Sequence, residues 1–288
     1  MSSNLDLLKQ LREITGAGIL DCKKYLLQAE NNLDEAVKLM RSEEGIKAEK
    51  KSSRIAAEGV VFFNSNEKKS ILLEINSETD FVARSDDFMT YVEQVSQSLL
   101  SSDCADMNSL TESGNTDLVD SLEKLRKEYI TKLGENIKVR RFIIYSHSEG
   151  FVTGYTHNYK IGSLVKLKSK DAELSKDITM QIVASNPLAL DEKSIDSSLL
   201  ESEKEIYKKE LEKINKKDDI KRNILEGKVK KFITDNTLLN QPFIKDGSKS
   251  LKKILSNNEI ISYVRYQLGE GIDKKQEDFA EEVYSQIK

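Results

Sequence analysis

Two stretches of this chain repeat one pattern, and the repetition leaves few architectures open. EGVV (58–61) opens an apolar run, GVVFFN (59–64), and after the polar turn NEKK comes a second run, SILLEIN (70–76). EGFV (149–152) opens another pair, whose second run is GSLVKLKS (162–169). Short runs of β-branched and aromatic residues on either side of a polar break are hairpin signals. In both copies an acidic turn follows, and then a helical pattern. The first helix is marked by Phe88, Val92, Val95 and Leu99; the second spans residues 172–185. A chain written this way is expected to be α+β, with two related strand–strand–helix lobes. Leu118, Leu122, Leu125 and Tyr129 mark a further helix of the first lobe, and NIKVRRFIIYS (136–146) reads as another strand. Between the first lobe's helices, SSDCADMNSLTESGNT reads as a loop.

The flanks read differently. Residues 4–41 predict three short helices, with apolar stripes at Leu7, Leu11 and Ile14, at Cys22, Leu26 and Ala29, and at Leu33, Ala36, Val37 and Met40. So short a piece buries only a small core, so a compact bundle is expected, tethered by the charged linker EEGIKAEKKSSR (43–54). Further on, Leu200, Tyr207, Leu211 and Ile214 form a heptad seam, KKDD (216–219) turns the chain, and Ile220, Ile224 and Phe232 return. This predicts a protruding antiparallel coiled-coil hairpin. QPFIKD (241–246) leads to a final helix pair, and DFAEEVYSQI forms a last amphipathic helix. The expected domains are 1–54, 55–149, 150–195 with 236–272, 196–235 for the hairpin, and 273–288.

Composition narrows the function. There are 45 Lys and Arg against 49 Asp and Glu, so no cationic excess favours nucleic acid. The two cysteines, Cys22 and Cys104, are far apart and read as free thiols in a reducing compartment. No segment is long and apolar enough to span a membrane, and the first residues lack the pattern of a secretory or organelle leader, so a cytoplasmic location is expected. The only histidines are His147 and His157. Neither stands in a nucleophile elbow, and there is no HExxH, no phosphate-cradling GxxxxGK and no GxGxxG opening a helix. No enzyme, cofactor or metal-ligand set is expected.

One stretch resists this reading. In SETDFVARSDDF (77–88) a large aromatic, Phe81, sits at the tip of an acidic turn. From its residues alone, Phe81 is either a core residue after a strand or a probe aimed at another molecule.

LREITGAGILDCKKYLLQAENNLDEAVKLMR (11–41), ETDFVAR (78–84), KLGENIKVRR (132–141) and QPFIKD occur in order along the chain. Together they resemble bacterial translation elongation factor Ts, the family of guanine-nucleotide exchange factors for the GTPase elongation factor Tu. The resemblance implies that residues 1–54 are a ubiquitin-associated-like three-helix domain, followed by the two lobes, the coiled coil and a C-terminal helix that packs on the GTPase. It implies that Thr79, Asp80, Phe81 and Val82 enter the GTPase near its Mg²⁺ site and dislodge the metal. Asp80 is expected to brace the turn or to accept from its backbone N–H groups. Arg12, Ile19, Leu20 and Lys23 match a docking face for the nucleotide-binding domain, and His157, in YTHNYKIG, matches a loop touching another part of the partner. No direct nucleotide, nucleic-acid or membrane binding is implied. A homodimer through the coiled coil or the core is open, and the competing function is a protein-binding adaptor that leaves nucleotide exchange alone. Two departures stand out. Ser77 replaces a common Cys, and Tyr159 and Lys160 stand where relatives often carry Gly and Arg.

Overall fold

The computed structural model describes residues 4–15, 19–40, 51–112 and 114–272. The expected C-terminal helix at 273–288 and most of the linker at 43–54 lie outside the described residues. The fold is α+β, as the sequence predicts. It divides into two compact units. One holds the described residues up to Phe62, Leu73–Ile143 and those from Gln267; the other holds Phe63–Leu72 and Ile144–Tyr266.

Three helices open the chain: α1 (Asn4–Thr15), α2 (Ile19–Gln28) and α3 (33–40). Leu11, Cys22, Tyr25, Leu26, Ala29, Ala36 and Met40 form their core, with Leu7, Leu8, Leu33 and Val37 against it. Ile14, expected on this stripe, is 55% exposed. A bundle this small has too little apolar surface to cover the whole of α1.

The first sheet has the order β1 (Glu58–Ser65), β2 (Lys69–Ser77), β3 (Lys138–Ser146). Its central strand, β2, is buried over residues 70–77. Between β2 and β3 lie α4 (Asp80–Ala83), α5 (Asp86–Leu100), α6 (Met107–Glu112) and α7 (Thr116–Leu133). Helix α5 buries Phe88, Tyr91, Val92, Val95 and Leu99. Tyr91 meets Tyr129 of α7 with ring centroids 5.1 Å apart. Helix α6 falls within the stretch read as a loop. A reciprocal cap starts it: Ser109 N–H donates to Asp106 Oδ1, and Asp106 N–H donates to Ser109 Oγ, both at 2.8 Å. The Ser109 hydrogen bonds also hold the Asp106 carboxyl below its ordinary pKa.

The second unit continues with β4 (Phe151–His157), β5 (Ile161–Leu167) and α8 (Ala172–Ser185). Then come α9 (Ser197–Glu212), α10 (Asp218–Asn236), the short strands β6 (Pro242–Phe243) and β7 (Asp246–Ser250), α11 (Leu251–Leu255) and β8 (Ile260–Gln267). The expected final helix pair is therefore one short helix and a strand. IISYVRYQ is rich in β-branched and aromatic residues, which favour the pleated conformation over the helix. Strand β8 completes the second sheet in the order β4-β5-β8. The repeat is thus one strand longer than the sequence pattern showed: two strands, helix, and a third strand beside the second.

The glycines of the repeated EG dipeptide explain the echo. Gly59 has φ +131°, and a Cβ there would lie 2.1 Å from Ile75 O. Gly150 has φ +156°, and a Cβ there would lie 2.5 Å from Leu167 O. In each lobe the first strand starts by pressing backbone against the end of the central strand, which only glycine allows.

Helices α9 and α10 form the antiparallel pair. Lys228 pairs with Glu210 and lies over the Tyr207 ring, 5.0 Å from its centroid. Leu211 is the buried residue of the seam. Ile214 and Ile220, expected to continue it, are 40% and 45% exposed. Ile214 lies past the end of α9 and Ile220 in the first turn of α10, so both sit at the tip, where the two helices no longer face one another over a full turn. QPFIKD is held from below. Gln241 Nε2 donates to Asp235 O at 2.7 Å, Phe243 enters the second core, and Lys245 pairs with the buried Asp177 at 2.8 Å.

Glu74 ties the chain's return to the first unit. Its carboxylate is fully buried and accepts from Arg140 at 2.9 Å, Arg141 at 2.6 Å and Gly269 N–H at 2.9 Å. Asn76 Nδ2 also donates to it at 3.3 Å, and these four donors around one buried charge offset its desolvation. Burial pulls the Arg141 pKa down, but Glu74 and Glu270 outweigh it and the net direction is up.

Candidate functional site

The turn after β2 is built from hydrogen bonds. Ser77, fully buried, donates its hydroxyl to Thr79 O at 3.0 Å. A serine hydroxyl is a stronger donor at this bend than a thiol would be. Thr79 is extended (φ −119°, ψ 157°) and caps α4, its Oγ1 accepting from Val82 N–H at 3.3 Å. Helix α4 has four residues, too few to be stable by itself. Ala83 is its buried residue, and Ser85 begins the next helix by accepting from Phe88 N–H at 3.3 Å. Of the two roles expected of Asp80, capping falls to Thr79. Asp80 lies in the first turn of α4 and pairs with Arg84, Nη2 to Oδ2 at 2.9 Å. Phe81 points outward and is 83% exposed. Val82 is half-buried.

A second segment holds the first. Helix α7 ends at Gly134, left-handed with φ +81°. The next two residues face the turn. Glu135 accepts from Thr79 N–H at 2.9 Å through Oε2 and from the Thr79 hydroxyl at 2.6 Å through Oε1. Asn136 N–H donates to Glu78 Oε1 at 2.6 Å. Buried Asn136 also donates its amide to Ser52 O at 3.2 Å and Arg54 O at 2.8 Å. Two of the matched segments, ETDFVAR and KLGENIKVRR, are thus one bonded assembly. Sequence reasoning quoted the second segment but gave Glu135 no role. An acid immediately after a helix-ending glycine was the available signal.

The other expected residues lie elsewhere. Arg12 is exposed on α1, and Ile19, Leu20 and Lys23 are exposed on α2, with Ile19 at 53% and Leu20 at 82%. Leu27, missed by the sequence reading, is 63% exposed and lies two turns beyond Leu20 on the same face. The opposite face of α2 carries Cys22, Tyr25 and Leu26 into the core. His157 belongs to the other unit and ends β4, where Tyr155 Oη lies 3.2 Å from Nδ1. Asn158 (φ 50°) and Tyr159 (φ 55°) turn the chain, and Lys160 N–H donates to His157 O at 3.0 Å. Two successive positive φ values define the tight hairpin turn that favours Asn-Gly. Tyr159 occupies the glycine position.

His147 does approach a serine, with Nε2 2.9 Å from Ser70 Oγ and Nδ1 3.1 Å from Glu67 O. A carbonyl only accepts, so Nδ1–H donates to Glu67 O, and in the neutral ring Nε2 accepts a hydrogen bond from the Ser70 hydroxyl. Ser70 is 1% exposed, which closes it to any substrate. The pair fastens the β1–β2 turn. Among the described residues no helix is long and apolar enough to cross a membrane.

A family model described as elongation factor TS matches residues 78–270. The elongation factor Ts of Alkalilimnicola ehrlichii is 40% identical over 294 residues, covering 100% of this chain and 99% of that protein. The elongation factor Ts of Methylococcus capsulatus is 40% identical over 292 residues, with the same coverage. That of Legionella pneumophila (strain Paris) is 37% identical over 289 residues, covering 98% of this chain and 97% of the relative. Matched from end to end, and with ETDFVAR and KLGENIKVRR bonded to one another, the chain belongs to the elongation factor Ts family of translation factors.

Proposed function

We propose that the chain is a guanine-nucleotide exchange factor that binds the GTPase elongation factor Tu, disturbs its Mg²⁺ site and promotes GDP release during translation elongation in the cytoplasm. The observation that carries this reading is Phe81, 83% exposed at the tip of a hydrogen-bonded turn. Burying a phenylalanine is worth about 1.5–3 kcal/mol, which the free chain forgoes here. A ring held out in this way fits a pocket on another molecule. Mg²⁺ requires near-ideal octahedral geometry, so an aromatic wedge that shifts its supporting side chains weakens the metal and with it the nucleotide.

The energetics require more than the wedge. A 10⁴-fold acceleration corresponds to about 5.5 kcal/mol. One ring offers about half of that at best. Arg12, Ile19, Leu20 and Lys23, on the N-terminal helices, and His157, at the β4–β5 turn, supply docking energy that holds the wedge in place. In this reading residues 1–54 dock, 55–149 carry the wedge, 150–195 with 236–272 hold the second contact, 196–235 form the coiled coil, and 273–288 add a further contact. Linkage demands that nucleotide weaken the factor's grip by the factor by which the chain weakens nucleotide.

The test is to mix the chain with elongation factor Tu preloaded with a fluorescent GDP analogue and follow release. Acceleration that saturates with the chain's concentration is expected. Binding without acceleration makes the chain an adaptor.

A further inference from the structure

We infer that Glu135 is a positioning residue for exchange: its carboxylate sets the direction of the Phe81 ring through Thr79. The inference rests on the exchange reading for its consequence but on geometry for its mechanism. Packing gives Phe81 little direction, because the ring itself is 83% exposed and Ala83 is the buried residue of a four-residue helix in which Val82 is half-buried. The direction of the ring therefore follows from how α4 is started. Its start is Thr79, whose hydroxyl does two things at once. It donates to Glu135 Oε1 at 2.6 Å and accepts from Val82 N–H at 3.3 Å. Donation to a charged acceptor is strong, and it polarises the hydroxyl into a better acceptor for the helix. The second carboxylate oxygen takes Thr79 N–H at 2.9 Å, so both oxygens of Glu135 act on one residue.

The neighbouring residue extends the arrangement. Asn136 holds Glu78 on the strand side of the turn and the carbonyls of Ser52 and Arg54 at the end of the linker. The Gly134–Asn136 segment is accordingly a brace, fixed by the left-handed end of α7, on which the turn rests from both sides. Without Glu135, Thr79 N–H loses its acceptor and the cap loses its polarising partner. Helix α4, one turn long, then samples unwound states in which Phe81 no longer points one way.

The chain contains no Trp, so Phe81→Trp places a single fluorophore at the tip. In the free Phe81→Trp protein, adding Glu135→Ala is expected to lower tryptophan anisotropy while the circular dichroism spectrum is retained. Glu135→Gln, which keeps one oxygen for the Thr79 hydroxyl, is expected to fall between the two. Unchanged anisotropy in Glu135→Ala overturns the inference, whatever the exchange assay shows. With Phe81 in place, Glu135→Ala, which removes both hydrogen bonds to Thr79, is expected to reduce the saturating rate of GDP release by about tenfold or more and to leave the half-saturating concentration within about threefold. Thr79→Val combined with Glu135→Ala is expected to slow release by less than the product of the two single effects, because both break the hydroxyl–carboxylate bond. If Phe81→Ala slows release and Glu135→Ala does not, the positioning role is overturned. If Phe81→Ala leaves release unchanged, the exchange reading fails and the anisotropy arm alone decides on Glu135.

Discussion

Asp80 and Arg84 are joined across one turn of α4, with Nη2 and Oδ2 2.9 Å apart and side chains 40% and 76% exposed, respectively. A pair this open to water contributes little, and its partners are one helical turn apart. Since Thr79 caps the helix, Asp80→Ala and Arg84→Ala are each expected to change unfolding stability by less than about 0.5 kcal/mol. Urea denaturation measures this. Asp80→Ala is also expected to slow GDP release less than Phe81→Ala, because the wedge remains supported.

The β4–β5 turn contains avoidable strain. Tyr159 has φ 55°, a conformation that L-residues other than Asn and Asp resist. Tyr159→Gly is expected to stabilise the protein by about 1 kcal/mol, after allowing for glycine's greater freedom in the unfolded chain. Denaturant midpoints of the two proteins give the comparison. A loss of stability would mean that the tyrosine's own contacts outweigh the strain.

Tyr91 is fully buried, and among the described residues none hydrogen-bonds its hydroxyl. Burial drives the phenol well above its ordinary pKa, against a smaller lowering by Arg126. Removing the oxygen leaves the ring's contacts with Phe88 and Tyr129 in place. Tyr91→Phe is expected to be neutral or to stabilise by up to about 1 kcal/mol, read from thermal or urea unfolding.

The glycines of the two EG dipeptides are expected to behave alike. At Gly59 and Gly150 an added methyl would meet a backbone oxygen at 2.1 Å and 2.5 Å. Backbone cannot move aside as a flexible side chain can. Gly59→Ala and Gly150→Ala are each expected to cost about 3 kcal/mol or more, combining a forbidden φ with the clash. Soluble yield and denaturation of the two variants test it.

Much of this fold was legible because the hydrophobic period changes cleanly along the chain. Strands β1, β2, β4 and β5 carry dense β-branched runs between polar turns, and α8 ends where its apolar pattern ends. Strand β8 was missed because Ser262 and Arg265 break up its apolar residues and a helical segment, α11, precedes it. Helix α6 was missed because its signal is the Asp106–Ser109 cap and not an apolar stripe. At the candidate site, the local sequence names Phe81 but not what aims it. Glu135 reaches Thr79 from a distant part of the chain, and only folding brings such partners together. Leu27 is likewise ambiguous by sequence, since its neighbour Leu26 is buried while it is 63% exposed.

The central claim is that an exposed ring, held by its turn, drives nucleotide from the partner. Stopped-flow release of a fluorescent GDP analogue from elongation factor Tu, with wild-type chain and with Phe81→Ala, tests it directly. The account predicts that Phe81→Ala binds the partner within about threefold of wild type but reduces the saturating release rate at least about tenfold, the loss of a buried aromatic contact. Release by Phe81→Ala at the wild-type rate would contradict it.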